Sequence, residues 1–253
     1  MSIAAIMQPT FFPWLGYFDI IDKVDYFVSY NDVQLSRRSW QVRNRIKTAN
    51  GEFYLSIPIQ KTKNRDELLI CEAEISYDQN WQSKHLKTIE SSYHKAKYFD
   101  SVFMFISELY AKKHSLLHSF NEDFIVTVLQ RIGITTPFIR SAELEGISGT
   151  KDMRLASICK KLSCYEYLSP QGSSTYIESH SPGGELTKQG ISLYYQSYKH
   201  PQYHQLYGPF IPYMGVVDLL FNEGFEHSLG VIRSGRQTMI NYKDFRKQNF
   251  NLD

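Results

Sequence analysis

Cysteine is scarce. Cys71, Cys159 and Cys164 are the only three in 253 residues, and their spacing matches neither a disulfide framework nor a zinc site. An odd count with no secretory signal predicts reduced thiols in the cytoplasm. The opening apolar run, up to Met7, is too short for a signal core and ends at Gln8-Pro9. No apolar run approaches the length that spans a bilayer. Net charge is nearly absent too: 28 Lys and Arg against 26 Asp and Glu leave +2. That balance excludes a general nucleic-acid coat, so no nucleic-acid partner is expected. Glycine-serine linkers and internal repeats are missing. The expected organisation is one α/β domain over residues 1–232, with a helical insertion near 78–132. A C-terminal tail is expected over 233–253, where charge is scattered and periodicity weak.

Signals for covalent chemistry are missing as well. Cys159 falls on an apolar helical face, where a thiol is inert. Ser148, Ser169 and Ser173 have no nucleophile-elbow context. His114 and His118 share one face of an amphipathic segment and read as surface histidines, so no metal is expected.

Aromatics are plentiful, with 18 Tyr and 16 Phe. Most are expected in a bulky core; the others suit a stacking surface for a sugar or a base. The first fifty residues organise the chain. A short apolar run, Ile3 to Met7, gives way to the loop Gln8-Pro9-Thr10-Phe11-Phe12-Pro13-Trp14-Leu15-Gly16-Tyr17. A helical spacing over Phe18, Ile21 and Val24 leads to a second apolar run, Tyr26 to Tyr30. Asn31-Asp32-Val33-Gln34 ends it, and Arg37, Arg38, Arg43, Arg45 and Lys47 follow with no acid among them. This reads as strand, loop, helix, strand and basic loop. Ligands of such units lie at the carboxyl ends of the strands. Guanidinium groups grip phosphate with paired hydrogen bonds, so Arg37, Arg38 and Arg43 are candidate phosphate ligands, with Gln34, Asn44 and Lys47 beside them. Trp14, Tyr17 and Trp40 are candidates to line a base or sugar site, with Gln8 and Gly16 on the same loop. Asp32 suits a general base, a ribose acceptor, a metal ligand, or simply the partner of an arginine.

Glu52 to Gln60 alternates as a strand, paired as a hairpin with Val42 to Ile46 across Asn50-Gly51. Leu68 to Ile75 reads as a further strand. Helices are expected over Trp81–Tyr93 with Asp78 as cap, Phe99–Leu117, and Phe120–Ile132 with Asn121 as cap and Gly133 as stop. A glycine-bearing loop opens another helix near Thr150. Its free amides, with Lys151, Asp152 and Arg154 beside them, suit an anion, although the glycine spacing is not that of a Walker loop. Tyr165–Leu168 is a strand candidate, followed by a loop from Ser169 to Tyr176 in which those two residues are ligand candidates. Ile191–Tyr198 alternates as a strand and leads into His200-Pro201-Gln202-Tyr203, where His200 and Tyr203 are site candidates. The last helix is expected over Val216–Phe221, ending at Asn222-Glu223-Gly224.

The stretches MQPTFFPWLGYFDII, DVQLSRRSWQVRNRIK, GTKDMRLASICKKL, YLSPQGSSTYI, HPQY and FIPYMGVVDLLFNEG resemble the WbqC-like protein family over roughly Ile3 to Gly224. The resemblance implies a bacterial, cytoplasmic protein of surface-polysaccharide (O-antigen, lipopolysaccharide) biosynthesis. It implies a glycine, aminoacyl or other acyl transfer to an amino sugar, with a nucleotide-linked sugar and an acyl donor as partners. A second likeness, to nucleotidylyl transferases such as pantothenate synthetase, implies a Rossmann-like, mostly parallel sheet flanked by helices. It also implies adenylation of a carboxylate with ATP and magnesium. Trp14-Leu15-Gly16-Tyr17 stands where those enzymes carry a His-x-Gly-His turn, and Lys151-Asp152-Met153-Arg154-Leu155 falls where they carry Lys-Asp. Neither histidine is present here. On this reading Asp32, His200 and Lys151 are the catalytic candidates, and Trp14 and Lys151 are expected to face each other across one phosphate-accepting cleft. The alternative is a nucleotide-sugar-binding module without chemistry of its own.

Overall fold

The computed structural model describes residues 2–36, 39–61, 67–179 and 181–250. Five successive apolar residues form β1 (Ile3–Met7), uninterrupted because the strand is covered on both faces. After it come α1 (Leu15–Asp22), β2 (Tyr26–Ser29), and the hairpin strands β3 (Arg43–Thr48) and β4 (Gly51–Ser56). Three helices follow, α2 (Trp81–Tyr93), α3 (Phe99–Ala111) and α4 (Leu117–Ile132), then β5 (Phe138–Arg140), α5 (Lys151–Lys161) and β6 (Glu166–Ser169). Two short helices, α6 (Ser174–Ile177) and α7 (Gly184–Lys188), precede β7 (Ser192–Tyr195). The chain closes with α8 (Val216–Ser234), β8 (Ile240–Asn241) and α9 (Tyr242–Asn249).

The main sheet has the order β5-β2-β1-β6-β7-β8. Its pairs are parallel except for β8, which runs antiparallel to β7. The hairpin is a separate antiparallel sheet. This is the expected Rossmann-like α/β architecture with an added helical segment and hairpin. From β1 the chain steps outward to β2 and β5, then returns to the other side for β6 and β7. The direction of winding reverses between β1 and β6, and the crevice beyond their carboxyl ends is where such a sheet takes a ligand.

Several local expectations differ from the structure. Leu68–Ile75 is no strand; it holds a 3-10 turn at Ile70–Glu72 and single bridges from Leu69 to Gln34 and from Ile75 to Ile59. Asn80, not Asp78, caps α2, accepting from the Ser83 amide. The helix from Phe99 stops at Ala111. Asn121 lies buried inside α4 rather than at its start, while Gly133 ends that helix in the left-handed region. The last helix does not stop at Gly224. The backbone breaks there (φ 72°) against the ring of Tyr98, and the helix resumes to Ser234. Beyond Arg233, where a tail was expected, β8 joins the sheet and α9 buries Phe245. Arg246 of α9 donates to the buried Glu178 at 2.7 Å.

Most of the aromatics are core. Tyr17, Tyr93, Tyr110, Phe11, Phe12, Phe120 and Phe124 are fully buried. Tyr93 stacks on Phe221 of α8 at 4.4 Å, and Phe12 packs on Phe124 at 4.6 Å. Two buried polar groups fasten the hairpin to the helices. The Tyr93 hydroxyl accepts from the Lys47 amide and donates to Asp218. His85 Nε2 accepts from the Ser56 amide at 3.2 Å, and its Nδ1 meets the Tyr110 hydroxyl at 3.0 Å. Nε2 must therefore keep its lone pair, and burial pushes the His85 pKa down to about 4.

An unfolded histidine titrates near 6.5, so the folded chain favours the neutral ring. The stability from His85 is full above that value and drains as pH falls toward 4. Between pH 7 and pH 5 this one ring should remove about 2 kcal/mol of unfolding free energy. Urea unfolding across that range checks it: His85→Gln should flatten the profile, and an unchanged slope would rule the linkage out.

Candidate functional site

At the carboxyl end of β1 a cavity of about 310 Å³ opens, lined by Met7, Thr10, Trp14, Tyr17, Trp40, Asn44, Arg45 and Tyr213. Its walls come from three pieces of chain: the loop from β1 into α1, the hairpin with the residues before it, and the segment ahead of α8. The first piece is forced into place by its own carbonyls. Pro9 and Pro13 have no N–H, and Phe12 is held in the left-handed region (φ 45°). The Asn44 side chain donates to the carbonyls of Phe11 and Phe12, at 3.0 and 2.8 Å. Asn121, from α4, donates to the carbonyls of Pro9 and Gln41. The backbones of Phe11 and Trp40 join at 2.8 Å, which sets Trp40 beside the loop.

Trp14 is the centre of an aromatic stack. A ring-on-ring contact ties it to His200 (6.3 Å, 14°), and edge or tilted contacts tie it to Tyr198 and Tyr213. Its six-membered ring lies where a side chain at position 16 would begin, which is why Gly16 has to be glycine. Tyr17 is buried, and its hydroxyl donates to the Gln8 carbonyl. The Gln8 side chain is paired with that of Gln41.

The charges around the cavity are largely cancelled. Arg45 donates to both oxygens of Glu52 at 2.9 Å and to the Tyr213 carbonyl at 2.9 Å. Lys47, a phosphate candidate, is buried instead. Its ammonium donates to the Pro209 carbonyl (2.7 Å) and to Gln205 (3.1 Å), and burial lowers its pKa. Gln205 in turn donates to Asp218, which also accepts from Tyr93 and Tyr203. Tyr203 is thus part of this inner network rather than of the cavity wall. Arg43 is different. It lies 5.0 Å over the ring of Tyr54 and makes no ion pair among the described residues.

The remaining candidates do not converge on the cavity. Asp32 is paired with Arg154 and accepts from the Ser141 hydroxyl, so the arginine-partner role is the one it fills here. Asp152 accepts from the Glu185 and Met153 amides and fastens α7 to α5. Lys151 is exposed at the start of α5 and lines no part of the cavity that Trp14 lines. The single cleft expected between Trp14 and Lys151 is therefore not formed by that cavity. Ser169 is buried at the end of β6, and burial raises the Tyr176 pKa beside it in α6. Gln34 bridges to Leu69 in the loop after β2. Arg37 and Arg38 lie outside the described residues. His200 stands behind Trp14 and Tyr213. It contacts the Pro201 carbonyl through Nδ1 at 2.9 Å, and its Nε2 is buried with no partner. Burial lowers its pKa, keeping the ring neutral. Among the described residues the cavity wall has no carboxylate for magnesium, and Lys47, Lys151 and Arg154 serve three separate places. These residues form no triphosphate cradle and do not fit ATP.

Sequence reasoning did not single out Arg45, Tyr54, Thr10 and Tyr213. Arg45 stood among the basic residues, but only its diagonal ion pair with Glu52 across the hairpin shows its place. Nothing local marks Tyr213, which reaches the cavity from far along the chain.

The sequence model of the WbqC-like protein family matches residues 8–229, from the loop after β1 to the end of the site-bearing segments and most of α8. The chain belongs to the WbqC-like protein family. It is also similar to an uncharacterised protein of Mycobacterium tuberculosis, Rv1507c, at 33% identity over 227 residues, covering 89% of this chain and 96% of the relative. No solved structure matches the chain. No helix among the described residues is long and apolar enough to cross a membrane.

The Trp14–Gly16 contact makes a test. A glycine-to-alanine change inside a helix ordinarily gains roughly 0.5–1 kcal/mol. In Gly16→Ala the new methyl overlaps the Trp14 ring, and overpacking costs about 1–3 kcal/mol. The variant should be destabilised and its near-ultraviolet circular dichroism altered; a more stable protein with an unchanged spectrum would show that Trp14 does not depend on that contact.

Proposed function

We propose that this chain attaches an acyl or aminoacyl group to the amine of a nucleotide-linked amino sugar, a step in bacterial surface-polysaccharide assembly. The observation that carries the reading is the aromatic cavity at the carboxyl end of β1. Flat walls from Trp14, Tyr17, Trp40 and Tyr213 suit a base or a sugar face, and the volume admits one ring system. The family resemblance supplies the amino sugar and the acyl transfer.

In the reaction the amine nitrogen attacks the acyl carbonyl carbon. A C–N bond forms, the donor's leaving group departs with its electron pair, and the nitrogen gives up a proton. His200 is the candidate to take it, since a neutral ring with a free Nε2 is a base. His200 stacks on the far side of the Trp14 ring that walls the cavity. An already activated acyl donor suits the site better than ATP, because the described residues of the cavity form no triphosphate cradle.

A second reading is a nucleotide-sugar-binding module without chemistry. It is favoured by one set of facts: Asp32 is occupied by Arg154, Lys151 is outside the cavity, and His200 is covered.

Incubation with a UDP- or dTDP-linked amino sugar and, in turn, an acyl thioester, an aminoacyl-tRNA, and glycine with ATP separates the two. Amide product by mass spectrometry supports the transferase, and His200→Gln should then lower kcat roughly 100-fold or more with little change in KM. Tight sugar-nucleotide binding with no amide from any donor leaves the module.

A further inference from the structure

Among the described residues one cation around the cavity remains available, and it lies outside. Arg45 lines the cavity, but Glu52 offsets its charge and the Tyr213 carbonyl occupies its other terminal nitrogen. Lys47 is buried under Gln205 and Pro209. Inside, then, the walls are aromatic and nearly uncharged. The aromatic surface does not stop at the rim. Trp40, half exposed and shared with the cavity, stacks on Tyr54 at 6.5 Å and 26°, and Tyr54 is 44% exposed. Over the Tyr54 ring sits the guanidinium of Arg43, with no carboxylate partner among the described residues. Tyr54 pairs with Arg45 in the hairpin register and Arg43 precedes it by two, so Arg43, Arg45 and Tyr54 share one face of the hairpin.

We infer that this hairpin face is an anionic subsite: Arg43, seated on Tyr54, holds the phosphate of a ligand whose uncharged ring occupies the cavity. The inference rests on the proposed nucleotide-linked ligand and fixes its direction, ring inward and phosphate outward over the hairpin. A guanidinium already stacked on a ring has little freedom left to lose when it pairs with phosphate. Glu52 shares this face, but both its oxygens are taken up by Arg45, so its charge offsets Arg45 and leaves Arg43 unpaired. The helix start at Lys151 plays no part.

Isothermal titration of the full chain with uridine and with UDP tests this. UDP should bind more tightly than uridine, and its binding alone should weaken as salt is raised. Arg43→Gln should lower UDP affinity roughly 10- to 100-fold and leave uridine unchanged. Arg43→Lys should restore part of the difference, Tyr54→Ala should reduce it, and Trp14→Ala should weaken both ligands. Equal affinities for the two ligands in the native chain, no binding of either, or a loss in Arg43→Gln that falls equally on both overturns the inference. The readout is independent of turnover. Arg43-dependent UDP binding without amide formation sinks the transferase reading alone, and amide formation with Arg43-independent binding sinks this one alone.

Discussion

The structure depends on satisfying the backbone carbonyls of one proline-bearing loop. Residues 8 to 14 leave the central strand, run through the protein interior and enter α1, with no strand to pair them. Buried carbonyls without partners would cost more than the loop's packing returns. Asn44 and Asn121 resolve this, each with one amide group bridging two carbonyls. Because Asn44 belongs to the hairpin and Asn121 to α4, the same bonds bring both elements to the end of β1. The Pro13 carbonyl takes the Val216 amide and adds α8 to the junction. The cavity is the space left where these four pieces meet.

Charge follows a similar logic. The basic run from Arg37 to Lys47 looks in the sequence like a continuous phosphate-binding strip. Folding divides it by function. Alternation puts Arg43, Arg45 and Lys47 on one face of the strand, and what each one meets there decides its fate. Arg45 meets Glu52, Lys47 enters the interior beside Gln205, and Arg43 keeps a ring beneath it and water above. Other buried acids are paired in the same way. Asp19 accepts from Arg236, and Glu122 from Arg140, Ser29 and Asn31. Burial alone would raise the Glu122 pKa, but hydrogen bonds from His118, Ser29 and Arg140 outweigh it and hold the carboxyl below its ordinary value. Such pairs hold elements in register and leave little free charge for a ligand.

Much of the sheet was legible because its strands are short apolar runs bounded by loops, and the hairpin because Asn50-Gly51 marks its turn. The Gly133 stop followed from the same local chemistry. What escaped was whatever depends on distant partners. Asn121 has the composition of a cap, yet the carbonyls of Pro9 and Gln41 claim it inside the helix. Gly224 looks like a terminus, and only the Tyr98 ring packed against it shows a break that the helix survives. The run after Arg233 lacks a periodic apolar face, and α9 is held by Phe245 against Tyr195 and by Arg246 on Glu178. Of the candidate site, Trp14, Tyr17, Trp40 and Asn44 were visible as one aromatic, polar neighbourhood. Lys151 was expected at the cleft because a helix start suggests ligand contact, while Asp32 fills the arginine-partner role among its readings, met by Arg154 from that same helix.

The segment between β7 and α8 shows why so much buried polarity is kept. From Gln196 to Gly215 it has neither helix nor strand, and Tyr207 and Tyr213 adopt left-handed backbone. A stretch of that length needs specific anchors to hold one conformation. Hydrophobic contact alone would leave it free to slide, since one tyrosine packs much like the next. Gln205 prevents this. It accepts from Lys47 and from the Ile211 amide, and donates to Asp218 and to the Ile211 carbonyl. Each bond has direction, and a shift of one residue would break them together and leave a charge stranded. Replacing such a cluster with apolar residues often costs little stability. Its value here is registry: with Gln205 fixed, His200 falls behind Trp14 and Tyr213 falls on the cavity wall. The buried lysine therefore acts on the site from a distance, by deciding which residue of the segment faces it.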